Sequence, residues 1–276
     1  MPVVTISRQV GSLGDEAARA LSQELDFHLV TAKEIRELAI SYDPSFASGA
    51  KDLEEEHGLG LLERLFFAQP VYTSLYEAVI LELASQRRVI ILGRGAQVVL
   101  KDVPQVLRVR VVAPTRVRVA RLGRDLGITD EEARDWVSRH DQERRALVRQ
   151  IFDHDLRDWG LYHLVLNTEG LDQAGAANII RQAISEIERL HPLEDVSRRL
   201  ARLALAKRVE ARLRSELLRS NLLKAELDPK GRILLSGYLH TDKEREKAGR
   251  LSAELAGPVE VLNDIKVSAF SFTWPA

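Results

Sequence analysis

Four short strand-like runs, separated by helical segments, constrain the fold of the N-terminal part of this chain most strongly. They are VVTIS at the start, RRVIILGRG around residue 90, LRVRVVA at 107–113 and YHLVLNT at 162–168. The run RRVIILGRG is apolar without alternation, which is typical of a strand covered on both faces. Strands that alternate with helices predict an α/β fold with a doubly wound parallel sheet.

A second pattern begins after residue 190. The segment 193–219 places its apolar side chains on roughly one side of a predicted amphipathic helix. The strand-like runs LLKAEL and RILLSGYL follow, separated by the turn sequence DPKG, and then a helix and the run PVEVLNDIKV. This order predicts a small α+β domain of the type αββαβ. We expect an α/β domain at 1–190, a helical linker at 191–210, the small domain at 211–268 and a tail at 269–276.

Composition excludes several classes of function. The chain has no cysteine, so it has no disulfides, thiolate metal sites or cysteine nucleophiles. Basic and acidic residues number 40 and 41, so the molecule as a whole lacks the positive field of a nucleic-acid-binding protein. No signal peptide is visible, and no apolar run approaches the roughly 20 residues of a membrane span. These features predict a cytoplasmic protein with no nucleic-acid partner.

The first strand leads through a glycine-containing turn into a helix, an arrangement that can bind a polyphosphate. Backbone N–H groups and the positive end of the helix dipole meet there. The candidate phosphate loop contains Arg8, Gly11, Ser12 and Gly14. Arg8 and Gly14 stand where the standard fingerprint has its first glycine and its lysine. From spacing alone, an ordinary βα turn that uses its glycines for backbone freedom is the alternative.

This loop and several further motifs together resemble a known protein family. ISRQVGSLG, TAKEIRELAI, ILGRGAQVVL and the arginine-rich segment after residue 113 resemble the cytidylate-kinase-like family of P-loop nucleoside monophosphate kinases, over about residues 3–187. Leu13 replaces a glycine of the family pattern and Asp15 replaces an arginine, while Gly95 replaces the aspartate of standard cytidylate kinases, as is usual in the subgroup. An acidic Asp15 beside a triphosphate is unfavourable unless a metal or Arg8 offsets its charge.

The resemblance implies that two arginines bind the acceptor monophosphate. Arg36 lies in TAKEIRELAI, and Arg94 lies in the Gly-Arg-Gly that follows the second predicted strand. A guanidinium matches phosphate oxygens in a bidentate manner and keeps its charge. Judged from the sequence alone, Arg94 could also be a surface residue in a turn. Its position at the carboxyl end of a parallel strand favours the ligand role, because open α/β sheets bind ligands there.

The segment between the third and fourth strands resembles the kinase lid, with Thr129 as the predicted N-cap of its second helix. Nine arginines lie between residues 116 and 149. The resemblance assigns lid roles to Arg121, Arg124, Asp141, Arg144 and Arg145. Of these, Arg121, Asp141 and Arg144 are the predicted catalytic residues. No role is assigned to Arg110, Arg118, Arg134 or Arg149. Lid arginines can neutralise charge on the transferring group.

Two questions about the lid stay open at this point. Asp141 either holds a lid arginine or acts near the magnesium ion. The arginine-rich helices are alternatively a solvated face with acid–arginine pairs.

The run RILLSGYLHTDKEREKAGRLSAELAGPVEVLNDIKV resembles a BON domain, with Gly237 at a strand bend and Gly257 at a helix end. This resemblance implies a binding module with a protein or membrane-surface partner. The alternative is a packing domain that covers a face of the kinase or of a second subunit, which leaves a homodimer open.

The predicted function is therefore an ATP-dependent nucleoside monophosphate kinase with a pyrimidine monophosphate acceptor. Its cofactor is Mg²⁺, which enters with ATP, and no side chain is assigned to a dedicated metal site, since the histidines lack metal-ligand spacing. The alternative is a catalytically degenerate kinase fold that senses a nucleotide or phosphate and is coupled to the BON module. A structural or membrane-associated adaptor is the third hypothesis.

Overall fold

A computed structural model describes residues 3–44, 70–86, 88–191, 196–217 and 222–268. The chain divides into two compact units. The first comprises Met1–Ala68 and Leu83–Ser197, and the second comprises Gln69–Glu82 and Arg198–Ala276. The predicted tail at 269–276 lies outside the described residues, as does part of the predicted linker. The boundaries predicted at 190, 210 and 268 stay predictions.

The first unit is built on a five-stranded sheet in which all the paired strands run parallel. Its strands are β1 (Val3–Arg8), β2 (His28–Val30), β3 (Val89–Leu92), β4 (Val106–Val112) and β5 (Leu164–Asn167), in the spatial order β2-β3-β1-β4-β5. The predicted α/β class with a parallel sheet is confirmed. Strand β2 was not predicted, because three residues are too few to show a periodic pattern.

Helices flank this sheet. They are α1 (Gly14–Leu25), α2 (Ala32–Tyr42), α4 (Ala96–Val99), α5 (Thr115–Leu126), α6 (Asp130–Phe152) and α7 (Gln173–Leu190), with a 3₁₀ turn at Trp159–Leu161. Helix α3 (Pro70–Ser85) precedes β3, and its residues up to Glu82 group with the second unit. Thr31 and Thr129 begin α2 and α6 with capping boxes, so the N-cap predicted at Thr129 is confirmed.

The core of the first unit explains the strand-like runs. Aliphatic side chains of the central strands pack against α1 and α7, with Ile6, Leu21, Ile90 and Ile180 fully buried. The register pairs Ser7 with Arg110 across β1 and β4. Because parallel strands end on the same edge of a sheet, the residues that follow β1, β3 and β4 meet there.

The second unit contains α8 (Val196–Glu216) and α9 (Asp242–Ala256) with five short strands. Strand β6 (Lys224–Leu227) is antiparallel to β7 (Ile233–Ser236), which is parallel to β9 (Val261–Asn263). Strands β8 (Tyr238–Leu239) and β10 (Lys266–Val267) form a second parallel pair. The predicted αββαβ order is confirmed. The second predicted strand is divided into β7 and β8, and the third is divided into β9 and β10.

Both predicted backbone roles of glycine in this unit are confirmed. Gly237 has φ +123° between β7 and β8, and a Cβ there would overlap the Leu222 carbonyl oxygen. Gly257 ends α9 with φ +57°. Both angles lie in the region that favours glycine.

The part of α8 that was predicted as amphipathic contributes its apolar side to the core of its own unit, through Ala206, Val209 and Leu213. Among the described residues, no helix is both long enough and apolar enough to cross a membrane.

Candidate active site

The loop between β1 and α1 has its conformation set by close contacts with two other segments. Gly11 has φ +70°, and a Cβ there would lie 2.9 Å from the Arg118 carbonyl oxygen. Ser12 is 1% exposed and donates a hydrogen bond to the Gln9 carbonyl oxygen at 2.7 Å. Thr168, which follows β5, donates to the Ser12 carbonyl oxygen at 2.8 Å. The loop therefore contacts α5 and the end of β5. We call α5 and α6 the first and second lid helices, after the lid that the sequence predicts in this segment.

Arg8 and Asp15 face each other across this loop as an ion pair. Arg8 Nη2 lies 2.8 Å from Asp15 Oδ1, and Arg8 Nε lies 3.2 Å from both carboxylate oxygens. The Arg8 side chain is only 6% exposed. Arg8 thus offsets the negative charge that Asp15 brings into the loop, as the sequence required.

Glycine is required at position 14 because the Arg8 side chain lies close to it, and not because the backbone has an unusual dihedral angle there. A Cβ at Gly14 would lie 2.5 Å from Arg8 Cβ, closer than real Cβ contacts. The interpretation that Gly14 supplies backbone freedom is therefore wrong, whereas Gly11 does have a positive φ. The residue beside Gly14 in the left-handed region is Leu13, with φ 63°. The missing lysine at position 14 is thus sterically linked to the arginine at position 8.

Asp141 connects the second lid helix to the loop. Its Oδ2 accepts a hydrogen bond from Arg118 Nη1 at 2.7 Å, and its Oδ1 accepts one from the Val10 backbone N–H at 3.2 Å. Arg118 is 4% exposed and also donates to the carbonyl oxygens of Ala113 and Val10. Asp141 therefore holds a lid arginine, which is one of the two roles left open. That arginine, Arg118, has no role in the sequence-based prediction.

The other predicted lid residues differ in their surroundings. Arg121 donates to the carbonyl oxygens of Gly11, Thr168 and Leu171, and burial lowers its pKa. Arg144 Nη1 lies 3.4 Å from the Arg8 carbonyl oxygen. Arg145 is exposed, and its Nε donates to the Asp141 carbonyl oxygen at 3.3 Å.

Arg124 pairs with the adjacent Asp125 on the surface, as the solvated-face alternative expects.

Arg94 follows β3 in an unusual backbone conformation. Gly93, Arg94 and Gly95 all have φ between 61° and 73°. A Cβ at Gly93 would lie 2.5 Å from Arg8 Nη1, so the glycine lets the Arg8 guanidinium approach this turn. Arg94 therefore lies where β3 ends and beside the phosphate loop. Arg36, half-buried on α2, follows the capping box of Thr31.

The structure explains why glycine replaces aspartate at position 95. A Cβ built on Gly95 would overlap the ring of Phe152, the last residue of α6. The aromatic ring thus occupies the space into which an aspartate side chain would project.

A cavity of about 440 Å³ lies among the loop, β4 and the two lid helices, and we call it the lid cavity. Its lining includes Gln9, Thr115, Val137, Ser138, Asp141 and five arginines, namely Arg110, Arg118, Arg134, Arg145 and Arg157. Asp141 is the one carboxylate among these lining residues. The lid cavity is therefore strongly cationic and suited to an anion.

Arg110 contributes to the lid cavity from inside the sheet. It is 7% exposed, and its Nη1 donates to the Ser7 hydroxyl at 2.6 Å. Burial lowers the pKa of Arg110, with Tyr162 and Asp141 acting in the opposite direction. Sequence reasoning assigned this residue no role, although a charged side chain between Val109 and Val111 in a buried strand was a visible signal.

Within the described residues, no group of three or more His, Cys, Asp or Glu side chains could hold a metal ion.

The central β1, its phosphate-type loop and the arginine-rich two-helix insertion define an α/β protein of the P-loop kinase type. The cytidylate kinase-like family model matches residues 3–170, and a BON domain model matches residues 203–269. The chain belongs to the cytidylate kinase-like family and carries a BON domain, which confirms both resemblances.

Curated relatives agree with this assignment. The chain is 26% identical to a cytidylate kinase of Pyrococcus furiosus over 67% of this chain and 90% of that protein. It is 27% identical to a cytidylate kinase of Methanoregula boonei over 67% of this chain and 96% of that protein. A shikimate kinase from Acinetobacter baumannii in complex with shikimate superposes with TM-score 0.39 and 15% identity, covering 70% of this chain and 96% of the other.

Proposed function

We propose that this protein is an ATP-dependent nucleoside monophosphate kinase that transfers a phosphoryl group to a pyrimidine monophosphate. The observation that carries the proposal is the lid cavity, in which five arginines surround one carboxylate beside the loop that follows β1. Enzymes that transfer phosphoryl groups act mainly by positioning the reactants and by stabilising charge. The relatives named cytidylate kinase support the choice of a pyrimidine acceptor.

The residues divide into three proposed groups. Arg8, Gly11, Ser12 and Gly14 form the donor loop, Arg36 and Arg94 bind the acceptor phosphate, and Arg121, Asp141 and Arg144 act from the lid. The contacts of Arg121 and Asp141 with the loop support a role in fixing the lid helices over the donor. Arg144 reaches the Arg8 carbonyl oxygen, which supports a position near the transferred group.

Magnesium fits this site through one side chain. Mg²⁺ is usually bound by one or two carboxylates together with substrate phosphates and water. Asp15 and Asp141 are already ion-paired with arginines. Glu16, in the first turn of α1, makes no hydrogen bond or ion pair within the described parts of the chain, so it would hold the ion. When bound, Mg²⁺ neutralises charge on the nucleotide phosphates.

The test is a coupled assay for diphosphate formation with ATP, Mg²⁺ and each common nucleoside monophosphate. We expect turnover with a pyrimidine monophosphate and its loss in Arg94→Ala. Arg189→Ala is the matched control, because Arg189 is exposed on α7 and pairs with Glu186. Absence of diphosphate with every monophosphate would reject the kinase proposal.

A second function is favoured by one observation at the donor loop. The Arg8–Asp15 ion pair and the steric exclusion of a side chain at Gly14 leave the loop without the lysine of active P-loop enzymes. A protein of this kind would sense a nucleotide or phosphate and report through its BON domain to a protein or membrane-surface partner, or to a second copy of the chain. Calorimetry that shows ATP or CMP binding without turnover would favour it over the kinase.

A further inference from the structure

Arg110 is a buried cation whose burial the protein itself hardly compensates. Its side chain is 7% exposed, and within the described residues its one hydrogen bond goes to the neutral hydroxyl of Ser7. Taking a charged group out of water is costly unless it is paired and hydrogen-bonded. The lining of the lid cavity includes Arg110, so the remaining guanidinium donors have access to that space.

The carboxylates near Arg110 are already paired with other arginines. Asp141, the carboxylate of the cavity lining, is ion-paired with Arg118 at 2.7 Å. Arg157 is paired with Asp155. In the described parts of the chain, Arg110, Arg134 and Arg145 form no ion pair with a carboxylate, although Asp141 attracts Arg110 from beyond ion-pair distance. The cavity thus keeps an excess of positive charge around one buried guanidinium.

Arg108, two residues earlier on β4, shows how the fold satisfies a buried arginine that has a structural role. It is 8% exposed, and its guanidinium donates to the carbonyl oxygens of Leu161 at 2.9 Å and Lys101 at 2.8 Å. Alternate residues of a strand face the same side of a sheet. Arg108 and Arg110 therefore lie on the same strand and face the same side of the sheet. Of the two, only Arg110 lines the lid cavity.

We propose that Arg110 is a direct phosphate ligand, whose guanidinium binds a phosphoryl group of a nucleotide in the lid cavity. Arg134 and Arg145 add positive charge from the exposed side of the same cavity. Guanidinium–phosphate contacts are charge-assisted and can be bidentate, which is the recognition chemistry that an uncompensated arginine offers. The inference deepens the proposed function and rests on it for the carrier of the phosphate, either ATP or the acceptor monophosphate.

The experiment compares Arg110→Met with Arg108→Met in the full chain. Calorimetry measures the binding of inorganic phosphate, CMP and ATP, and thermal unfolding is recorded without ligand. We expect Arg110→Met to lose phosphate affinity by at least about tenfold. Its unliganded form should unfold at the same temperature as the wild type or a higher one, because an apolar side chain replaces an uncompensated charge. Arg108→Met should unfold earlier and keep wild-type phosphate affinity.

The nucleotide titrations identify the carrier. A loss of affinity for CMP assigns Arg110 to the acceptor phosphate, and a loss for ATP assigns it to the donor. Phosphate, CMP and ATP affinities all within about twofold of wild type in Arg110→Met would overturn the inference, as would equal losses in both variants. If Arg110→Met does not fold, Arg110→Lys decides, because lysine keeps the charge but lacks the planar fork. Unchanged phosphate affinity in that variant also overturns it.

Turnover is measured in parallel, so that failure of the kinase proposal can be distinguished from failure of the inference about Arg110. Arg110-dependent phosphate binding without diphosphate formation keeps the inference and rejects the kinase. Normal turnover and normal phosphate binding in Arg110→Met reject the inference and keep the kinase.

Discussion

Arg8 and Asp15 form a two-pronged ion pair across the loop that follows β1, with Arg8 Nη2 2.8 Å from Asp15 Oδ1. The pair itself is electrically neutral, whereas a phosphate-binding loop usually offers a cation. Arg8 is 6% exposed and Asp15 is 27% exposed, so water screens the interaction only partly. We therefore expect the ion pair to affect both the stability of the loop and its affinity for a nucleotide.

Asp15→Asn should destabilise the protein and strengthen nucleotide binding. Loss of the carboxylate charge removes one ion-pair partner of the buried Arg8, at a cost of about 1–3 kcal/mol in the free energy of unfolding. The same change removes negative charge from the donor loop, so ATP affinity should rise. Urea unfolding and calorimetry measure the two effects. Asp26→Asn is the control, because the 94% exposed Asp26 pairs with Arg88 on the surface. Unfolding and ATP affinity equal to wild type in Asp15→Asn would contradict the prediction.

Gly14→Lys should not restore a phosphate-binding lysine. A side chain at position 14 collides with Arg8 Cβ at 2.5 Å, and overpacking of this kind costs about 1–3 kcal/mol. In the double variant Arg8→Gly, Gly14→Lys the collision is removed, so the two changes should be non-additive in a double-mutant cycle of urea unfolding. Gly170→Ala is the control, since a Cβ there meets nothing within 4 Å. Additive effects would show that the two positions are independent.

Asp155→Asn should change the acid dependence of stability. The ion pair with Arg157 lowers the pKa of Asp155 from 3.8 to about 2. A carboxyl group with a depressed pKa stabilises the folded state above about pH 4, and this contribution disappears as the pH falls towards 2. The difference in unfolding free energy between wild type and Asp155→Asn should therefore be present at pH 7 and shrink below pH 4. It should be small, because the pair is exposed to solvent. Asp135→Asn on the exposed side of α6 is the control, and a difference that is constant with pH contradicts the prediction.

Glu210→Gln should strongly destabilise the second unit. Glu210 is 2% exposed and accepts hydrogen bonds from Ser74 and the Ala225 N–H while it pairs with Arg214 at 3.0 Å. Removing one partner of a buried ion pair costs about 3–5 kcal/mol. Glu216→Gln is the matched control on the same helix, because the pair of Glu216 with Arg212 is largely exposed. Equal unfolding midpoints for the two variants would show that the buried pair contributes no more than a surface pair.

Much of the fold was predictable because it is encoded locally. The apolar run around Ile90 predicts a buried strand, Thr129 predicts the start of α6, and the turn at Asp228 predicts a hairpin in the second unit. Each signal lies within a few residues of the element that it specifies. Strand β2 was not predicted, because its three residues are too few to show a pattern and the strand with which they pair, β3, is distant in the chain.

The candidate site was predictable only in outline. The motifs indicated the loop, the turn at Arg94 and the lid, but they did not indicate which arginines are buried. Arg118 pairs with Asp141 across two helices, and Arg110 meets Ser7 across two strands. These pairs join residues 23 and 103 positions apart.

The sequence by itself determined the α/β class and the second small domain, because periodicity, caps and turns act over short stretches of chain. The P-loop-type opening was indicated by the resemblance of its motifs to a known family. Only the tertiary structure decided that Asp15 is neutralised by Arg8, that Phe152 excludes a side chain at Gly95 and that Arg110 lines the lid cavity. The physical reason is that burial and ion pairing depend on which distant segments the sheet brings together. Charged residues that look equivalent along the chain thereby acquire different surroundings.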